Sequence, residues 1–518
     1  MSQSFEGSPL QDEAVAQAMP PARMTSEFTQ GAREARLVLL NSIKLSLSLL
    51  GTLVVAFAVR FMIPRYTGPA AFGQLNFADA YAASFFVFTT FGVDSYIRKE
   101  VSTRIEHAND FWAGFWLMRL LSAVVVAVLM AYGLHAMDKG VVEWRLAYIF
   151  ALGQIAFVHN FTVSALLHAA SEVNELSLMN VVSKLLWGGG IWLSLVMGWP
   201  LDVIALAFLL SEGIKAVVLS RVVRDKLHLR WRVDMKATWA VMVASFPYFL
   251  NYMCHRTYEK LNVSMLSAMT DDKEVGWYAA ATNIATISLL FLPILQAVVV
   301  PLAARTGKKS MEAMNELMRN AVRLVVVFGT LISLIIMLHA DSMVHYAFGE
   351  GFYESAPSLR MLAPMFPLTY LAVLGAMHLI QLDRIWTMIK VSIVALVVNP
   401  VLNAPLIHFG YQMGPGWAGG MSALASICTE GANAVITFWI LGKAAVDRRL
   451  ALVLARTAGI CAVVGAMHWA LGSLGLWRMP LECIVYVGLA VVSGAMPLGD
   501  LQRTLQNARQ ARRGGQGS

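Results

Sequence analysis

The chain has 518 residues, 58% hydrophobic and only 14% charged, with a formal net charge of +8 and a mean hydropathy of +0.61. Soluble domains carry roughly 25% charged residues, so this composition excludes a soluble enzyme, a nucleic-acid binder and a disordered scaffold. The apolar residues suffice for about fourteen membrane-spanning helices of roughly 20 residues each, with almost no room for a separate domain.

The polar residues 1–36, interrupted by Pro20 and Pro21, lack the apolar stretch of a signal peptide and read as a disordered cytoplasmic tail. Apolar runs bounded by charge, proline or glycine then follow at 38–63, 75–97, 111–134, 146–168, 176–198, 201–222, 238–267, 275–303, 321–340, 359–380, 385–409, 416–441, 450–472 and 481–499. The split between the fourth and fifth is a weakly polar turn, AASEVNELS. A short basic tail, 501–518, closes the chain. Most of the 40 lysines and arginines fall on the side of the N-terminus, which places both termini in the cytoplasm of a multi-pass inner (plasma) membrane protein. The richest such segment runs from Arg221 to Lys236. Beside a membrane span it reads as topology and headgroup contact rather than nucleic-acid binding.

Loops on the opposite side are short, the longest surrounding HYAFGEGFYESAPS. That argues against a membrane glycosyltransferase or ligase, whose only support is Asp271-Asp272. TGKKSMEAMNELMRNAVRL reads as an amphipathic interfacial helix through Met311, Met314, Leu317 and Met318. The cysteines Cys254, Cys428, Cys461 and Cys483 lie in apolar stretches without CxxC spacing, so neither a metal site nor a disulfide is read.

An internal repeat organises the runs. Ala205–Val218 aligns without gaps on Ala423–Ile436, with seven of fourteen positions identical. Gly73 pairs with Gly276, Arg119 with Arg323 and His168 with His378, in chain order. Each unit holds six helices, an even number, so both enter the membrane with the same orientation. Parallel repeats of this kind are a transporter signature, with the substrate path between them. The expected organisation is an N-terminal lobe at 37–225, a C-terminal lobe at 226–445 and two appended helices at 446–500.

Charges inside spans are expensive and therefore informative. Lys44 and Arg60 lie near the two ends of the first span. Arg119 and Arg323, duplicated, read as structural. The seventh span places His255, Arg256, Glu259 and Lys260 within about two turns, with His255–Glu259 and Arg256–Lys260 at i,i+4 on neighbouring faces. A net-positive quartet makes sense against a water-filled cavity receiving an anion. Glu212 and Glu430 are repeat-related buried acids, with Lys215 at i+3 of the first and Asn433 in the matching place of the second. They and Asp79 suit either ion coupling or hydrogen bonds that tie each lobe together. Asn399 and Asn403 are placed to satisfy backbone loosened by Pro400 and Pro405.

The segments RYTGPAAFGQLNFADAY and FGVDSYIRKEVS after the first span, EVGWYAAATNIA opening the eighth, and NPVLNAPLIHFGYQMGPGWAGGMSALASICTE across the eleventh and twelfth resemble the polysaccharide-transport (oligosaccharide flippase) family. That family belongs to the multidrug/oligosaccharidyl-lipid/polysaccharide exporter superfamily. The resemblance implies an all-α fold of two six-helix lobes around a central cationic cavity. It also implies export, without covalent chemistry or a cofactor, of a polyprenyl-diphosphate-linked oligosaccharide from the cytoplasmic to the periplasmic leaflet for surface polysaccharide synthesis. Polymerase or other polysaccharide-assembly proteins are the implied partners. Arg256, Lys260, Arg60 and Lys44 are the expected headgroup contacts; Glu212, Glu430, Asp79 and Glu259 are the expected coupling or structural acids. A multidrug or organic-cation antiporter of the same superfamily is the alternative, and it requires acids rather than bases on the cavity wall.

Overall fold

The computed structural model describes residues 21–97, 101, 107–170, 172 and 174–496. Side chains are described from residue 51 onward, apart from 95, 255, 258, 259, 476 and scattered positions within 293–309. The expected tail at 1–20 and 501–518 lies outside the described residues.

Helices occupy all fourteen apolar runs, and the described residues contain no strand. The first helix, α1 (Pro21–Phe86), joins two expected spans into one element and kinks at Gly68, whose φ of 75° favours a residue without a Cβ. It starts at Pro21, so 21–36, expected to be unstructured, is helical; no proline follows until Pro64, and Ala, Arg and Glu are good helix formers. A short α2 (Val93–Tyr96) follows, then α3 (Ala108–Ala136), α4 (Val141–Ala169), α5 (Asn174–Met197) and α6 (Leu201–Leu227). These are the N-terminal lobe.

The C-terminal lobe opens with α7 (Met235–Met269), capped by Asp234, whose carboxylate accepts from the backbone of Lys236 and Ala237. The eighth span is not continuous. It divides into α8 (Asp272–Ala285), a 3₁₀ stretch from Thr286 to Phe291, and α9 (Leu292–Lys309). The expected interfacial helix runs without a break into the ninth span as α10 (Met311–Leu338), with Met314 and Met318 buried. The segment expected as the longest loop forms α11 (Ala340–Phe348) and a 3₁₀ turn, and leads into α12 (Ser355–Leu362) and α13 (Met365–Gln381). Next come α14 (Ile385–Met413) and α15 (Trp417–Leu441), followed by the appended α16 (Arg448–Ala470) and α17 (Arg478–Val492). Large apolar side chains are exposed along most helices, among them Val124, Val128, Val401 and Trp439. In water this would be costly; against lipid it is what a spanning helix requires.

Inside each lobe, duplicated polar residues do similar work with different partners. Arg119 is buried and donates Nε to the Thr89 carbonyl (3.1 Å) and Nη2 to Thr162 Oγ1 (3.0 Å), joining the end of α1 to α3 and α4. Arg323 is equally buried and pairs with Asp447 (2.5 Å), the residue that caps α16, fastening that appended helix to α10. Glu212 accepts from Asn160 Nδ2 (2.8 Å), which also reaches the Glu212 carbonyl, so α4 and α6 are stitched at mid-height.

The two lobes meet where the repeat-related glycines touch. A Cβ on Gly73 would lie 1.8 Å from the Asp272 carbonyl oxygen and 2.9 Å from the nitrogen of Gly276. A Cβ on Gly276 would lie 1.9 Å from the Pro69 carbonyl. Both obstacles are backbone, so only glycine permits this approach. Around it, Gln74 Nε2 donates to Asp272 Oδ2 (3.0 Å) and Glu143 Oε1 (3.2 Å), and Lys139 Nζ donates to the Ser267 carbonyl (2.7 Å). The α11 segment lies over the same contact, with Phe348 stacked on Phe61 and Trp277 Nε1 donating to the Gly351 carbonyl. This end of the molecule is closed by interlocking backbone. Contact between two repeat-related glycines places them beside the pseudo-twofold axis of the repeat.

Candidate functional site

Further along the same interface the lining becomes charged. Arg60, on the first half of α1, donates Nη1 to Thr286 Oγ1 (2.9 Å), and Asn283 Nδ2 donates to the Arg60 carbonyl (3.3 Å). Thr286 stands where α8 gives way to the 3₁₀ stretch, so the guanidinium crosses from the N-terminal lobe to the one place where the eighth span leaves α-helical geometry. Asp79, on the second half of α1, faces Lys260 of α7 across the lobe interface at 3.8 Å, with side chains 40% and 26% exposed. That exposure, within the spans and between the lobes, marks a polar gap; lipid does not solvate such groups.

The site has two members that sequence reasoning handled poorly. Lys184, on α5, was not singled out. Its Nζ lies 4.4 Å over the Trp187 ring, a cation–π contact, and it interacts electrostatically with Glu212, Lys215, Arg60 and Asp79. Lys215, read only as a partner of Glu212, belongs to the same group. The signal in the sequence was weak: Lys184 is a lone base in VVSKLLWGGG, with no acid at i±3 or i±4 to explain it. A mid-span lysine without a local partner was the available clue.

Arg256 precedes Lys260 by one turn on α7, is half-buried and takes part in interactions within the structure. The side chains of Lys44, His255 and Glu259 lie outside the described residues. Glu430 is buried in α15 and engaged, as Glu212 is in α6. The structure therefore sets Lys184 within electrostatic reach of Arg60, Asp79, Lys215 and Glu212, faces Asp79 with Lys260, leaves Arg256 on the adjoining turn, and bonds Glu212 to Asn160.

The facing wall of the C-terminal lobe is built differently. Asn403 Nδ2 donates to Asn262 Oδ1 (2.9 Å), and Asn262 Nδ2 donates to Ser426 Oγ (2.7 Å), tying α7, α14 and α15 through neutral groups. Buried amides satisfied in this way fix geometry without adding charge.

The family model described as polysaccharide biosynthesis protein matches residues 38–307, just over half of the chain. No curated protein matches. Among solved structures, the lipid II flippase MurJ in an inward closed conformation aligns over 89% of this chain and 99% of its own, at 12% identity and a TM-score of 0.68. A multidrug resistance MATE family transporter of the MOP superfamily, inward-facing, aligns over 75% and 93% at 15% identity with a TM-score of 0.61. An outward-facing structure with the same description aligns over 78% and 94% at 15% identity with a TM-score of 0.51. At these identities the likeness is one of fold, an all-α architecture of membrane-spanning helices.

Proposed function

Because the chain belongs to the polysaccharide biosynthesis protein family, we propose that it is a flippase that carries a lipid-linked oligosaccharide across the membrane by alternating access. The observation that carries this reading is the cation set at the lobe interface. Among the described side chains, Arg60, Lys184 and Lys215 from one lobe, with Lys260 and Arg256 from α7, outnumber the acids Asp79 and Glu212. A polyprenyl diphosphate presents a compact anion on a tail that is content to remain in lipid. The cavity need only shelter the head, and charge-assisted bonds to its phosphates are worth roughly 1.5–3 kcal/mol each. Every one of these cations lies within the matched residues 38–307.

The lysine and arginine distribution puts the closed Gly73–Gly276 end outside. The opposite end also holds contacts between the lobes, since a Cβ on Gly92 would lie 2.3 Å from the Phe249 nitrogen and Ser245 Oγ donates to the Phe91 carbonyl (3.0 Å). Entry of a substrate from the cytoplasm requires these to part. Loss of the Gly73–Gly276 contact, with the opposite end kept shut, would present the headgroup to the outer leaflet. Among the described acids of the group, the antiporter alternative draws on Asp79, which is partly exposed, and Lys260 already faces it.

The test is complementation of a deletion strain. Lys184→Ala and Arg256→Ala, at normal protein levels, should lose most surface-polysaccharide export while lipid-linked glycan accumulates facing the cytoplasm. Full export by both variants refutes the headgroup site. A deletion strain whose lipid-linked glycan is distributed normally refutes the flippase reading itself.

A further inference from the structure

Away from the lobe interface, three helices bring their ends together around one carboxylate. His339 ends α10, His468 lies in the last turn of α16, and Glu482 lies in the second turn of α17. Glu482 Oε2 is 2.8 Å from His339 Nε2 and Glu482 Oε1 is 2.8 Å from His468 Nδ1. The two rings meet edge to face at 5.1 Å. The side chains are 0%, 1% and 12% exposed for Glu482, His339 and His468 respectively. All three potential ligand atoms lie within 4.8 Å of one another.

A carboxyl group this deeply buried has to be neutralised, by a proton of its own or by a positive charge beside it. Among the described residues no lysine or arginine nitrogen pairs with Glu482; the nearby Arg478 donates Nη1 to the His468 carbonyl instead (3.3 Å). A proton on His339 is a poor answer. Its Nδ1 is buried with no hydrogen-bond partner, so an imidazolium there would strand a charged N–H. A divalent ion set among the three ligand atoms supplies the charge where three lone pairs converge.

We propose that His339, His468 and Glu482 form a structural site for a divalent transition metal of the zinc class, fastening the appended helices α16 and α17 to α10. Two imidazole nitrogens and one carboxylate oxygen are a donor set that suits zinc and leaves a fourth position for water. Bonds of about 2.0–2.2 Å in tetrahedral geometry separate ligand atoms by roughly 3.3–3.5 Å. The two 2.8 Å contacts therefore need open by only about half an ångström to admit the ion. The site lies at the end of α10 that leads directly into α11, the helix packed over the Gly73–Gly276 closure.

The full-length chain, purified in detergent without a polyhistidine tag and stripped by chelator, should take up about one zinc per chain by elemental analysis after desalting. Its thermal unfolding midpoint should rise by several degrees, and cobalt in place of zinc should give the visible d–d absorption of a low-coordinate site. His468→Asn, at the least buried ligand, and Glu482→Gln should each lower zinc affinity at least tenfold. Substoichiometric uptake by the stripped wild-type chain overturns the site, as does equal uptake by His468→Asn. A midpoint that follows pH but ignores zinc gives the cluster to a proton instead and overturns it too.

Discussion

The two lobes descend from one repeat, yet their inner walls differ in charge. At the offset that pairs Gly73 with Gly276, Arg60 corresponds to Val263 and Asp79 to Thr282; Lys215 corresponds to Asn433. The stretch of α14 that answers to Lys184, residues 394–402, contains no charge. Beyond Arg256 and Lys260 on α7, the C-terminal wall runs through Asn262, Asn403 and Ser426, neutral groups already bonded to one another. Duplication supplied two copies of a scaffold; among the described side chains, the N-terminal copy carries its wall cations on α1, α5 and α6, and the C-terminal copy only on α7, at Arg256 and Lys260. A symmetric wall would bind a symmetric ligand; cations spread over three helices of one lobe and met by a single helix of the other suit an asymmetric headgroup.

The largest expected effect comes from removing that asymmetry at its source. Arg60→Ala combined with Lys184→Ala deletes two candidate charge-assisted contacts. At roughly 1.5–3 kcal/mol each, that predicts a loss of export of at least about a hundredfold in a complementation assay at matched protein level. Asn433→Ala, at the repeat mate of Lys215, should change export less than about twofold. Equal losses from the two lobes would erase the proposed division of labour.

A second prediction concerns the feature that the lobes share. Gly276→Val places a side chain against the Pro69 backbone, which cannot yield as a flexible side chain would. The closed end should be driven apart, and a cysteine introduced at Ala71 in a cysteine-free background should react several-fold faster with a membrane-impermeant maleimide. Unchanged labelling would show that the glycine contact does not hold the seal.

A smaller effect is expected at the pair that bridges the lobes. Asp79 and Lys260 stand 3.8 Å apart with substantial exposure, so solvent screens them and their coupling should be under about 1 kcal/mol. A double-mutant cycle on thermal stability with Asp79→Asn and Lys260→Gln measures it. If transport falls far more in Lys260→Gln than that coupling explains, Lys260 serves the substrate rather than the fold.

Much of this architecture is legible from hydropathy, because lipid demands long apolar helices and tolerates little else. The repeat was legible too: Gly73 and Gly276 stand out as mates, although contact between them depends on where the axis falls. The break at Thr286–Phe291 was not legible. TISLLF has no proline or glycine to announce it, and tertiary packing decides such a departure. Asp79 and Lys260 each stand out as costly charges, but nothing local links residues so far apart. Lys184 escaped notice because a single base in an apolar helix looks like noise until Arg60, Lys215 and Glu212 surround it. The His339, His468 and Glu482 cluster escaped for the same reason: its members come from three helices, and only packing gathers them.

The smallest expected effect separates the closed end from the charged gap by their response to pH. Asp272, at the start of α8, has its carboxyl pKa raised above the usual value by burial, with Glu143 and Asp271 adding to the rise, against the hydrogen bond from Gln74 and the charge of Lys139. Parting the closure would return Asp272 to water, so the sealed state binds this proton more tightly than the open one. The sign follows from linkage. The proton's contribution to sealing is fully present below the ordinary carboxylate value and is lost as pH rises through the raised one. Lys139 acts in a different window. Burial lowers its pKa, partly offset by Asp272 and Glu143, so its contribution to sealing grows as pH rises through the alkaline range. Of these two groups Asp272 is the one that titrates between mildly acidic and neutral pH, and labelling at Ala71→Cys should therefore slow on acidification. Asp272→Asn carries no charge at any pH, so its labelling should be slow at neutral pH and flat across that range. A profile for Asp272→Asn that matches its parent would mean that the titrating group lies in the charged gap and that the seal is held by backbone contact alone.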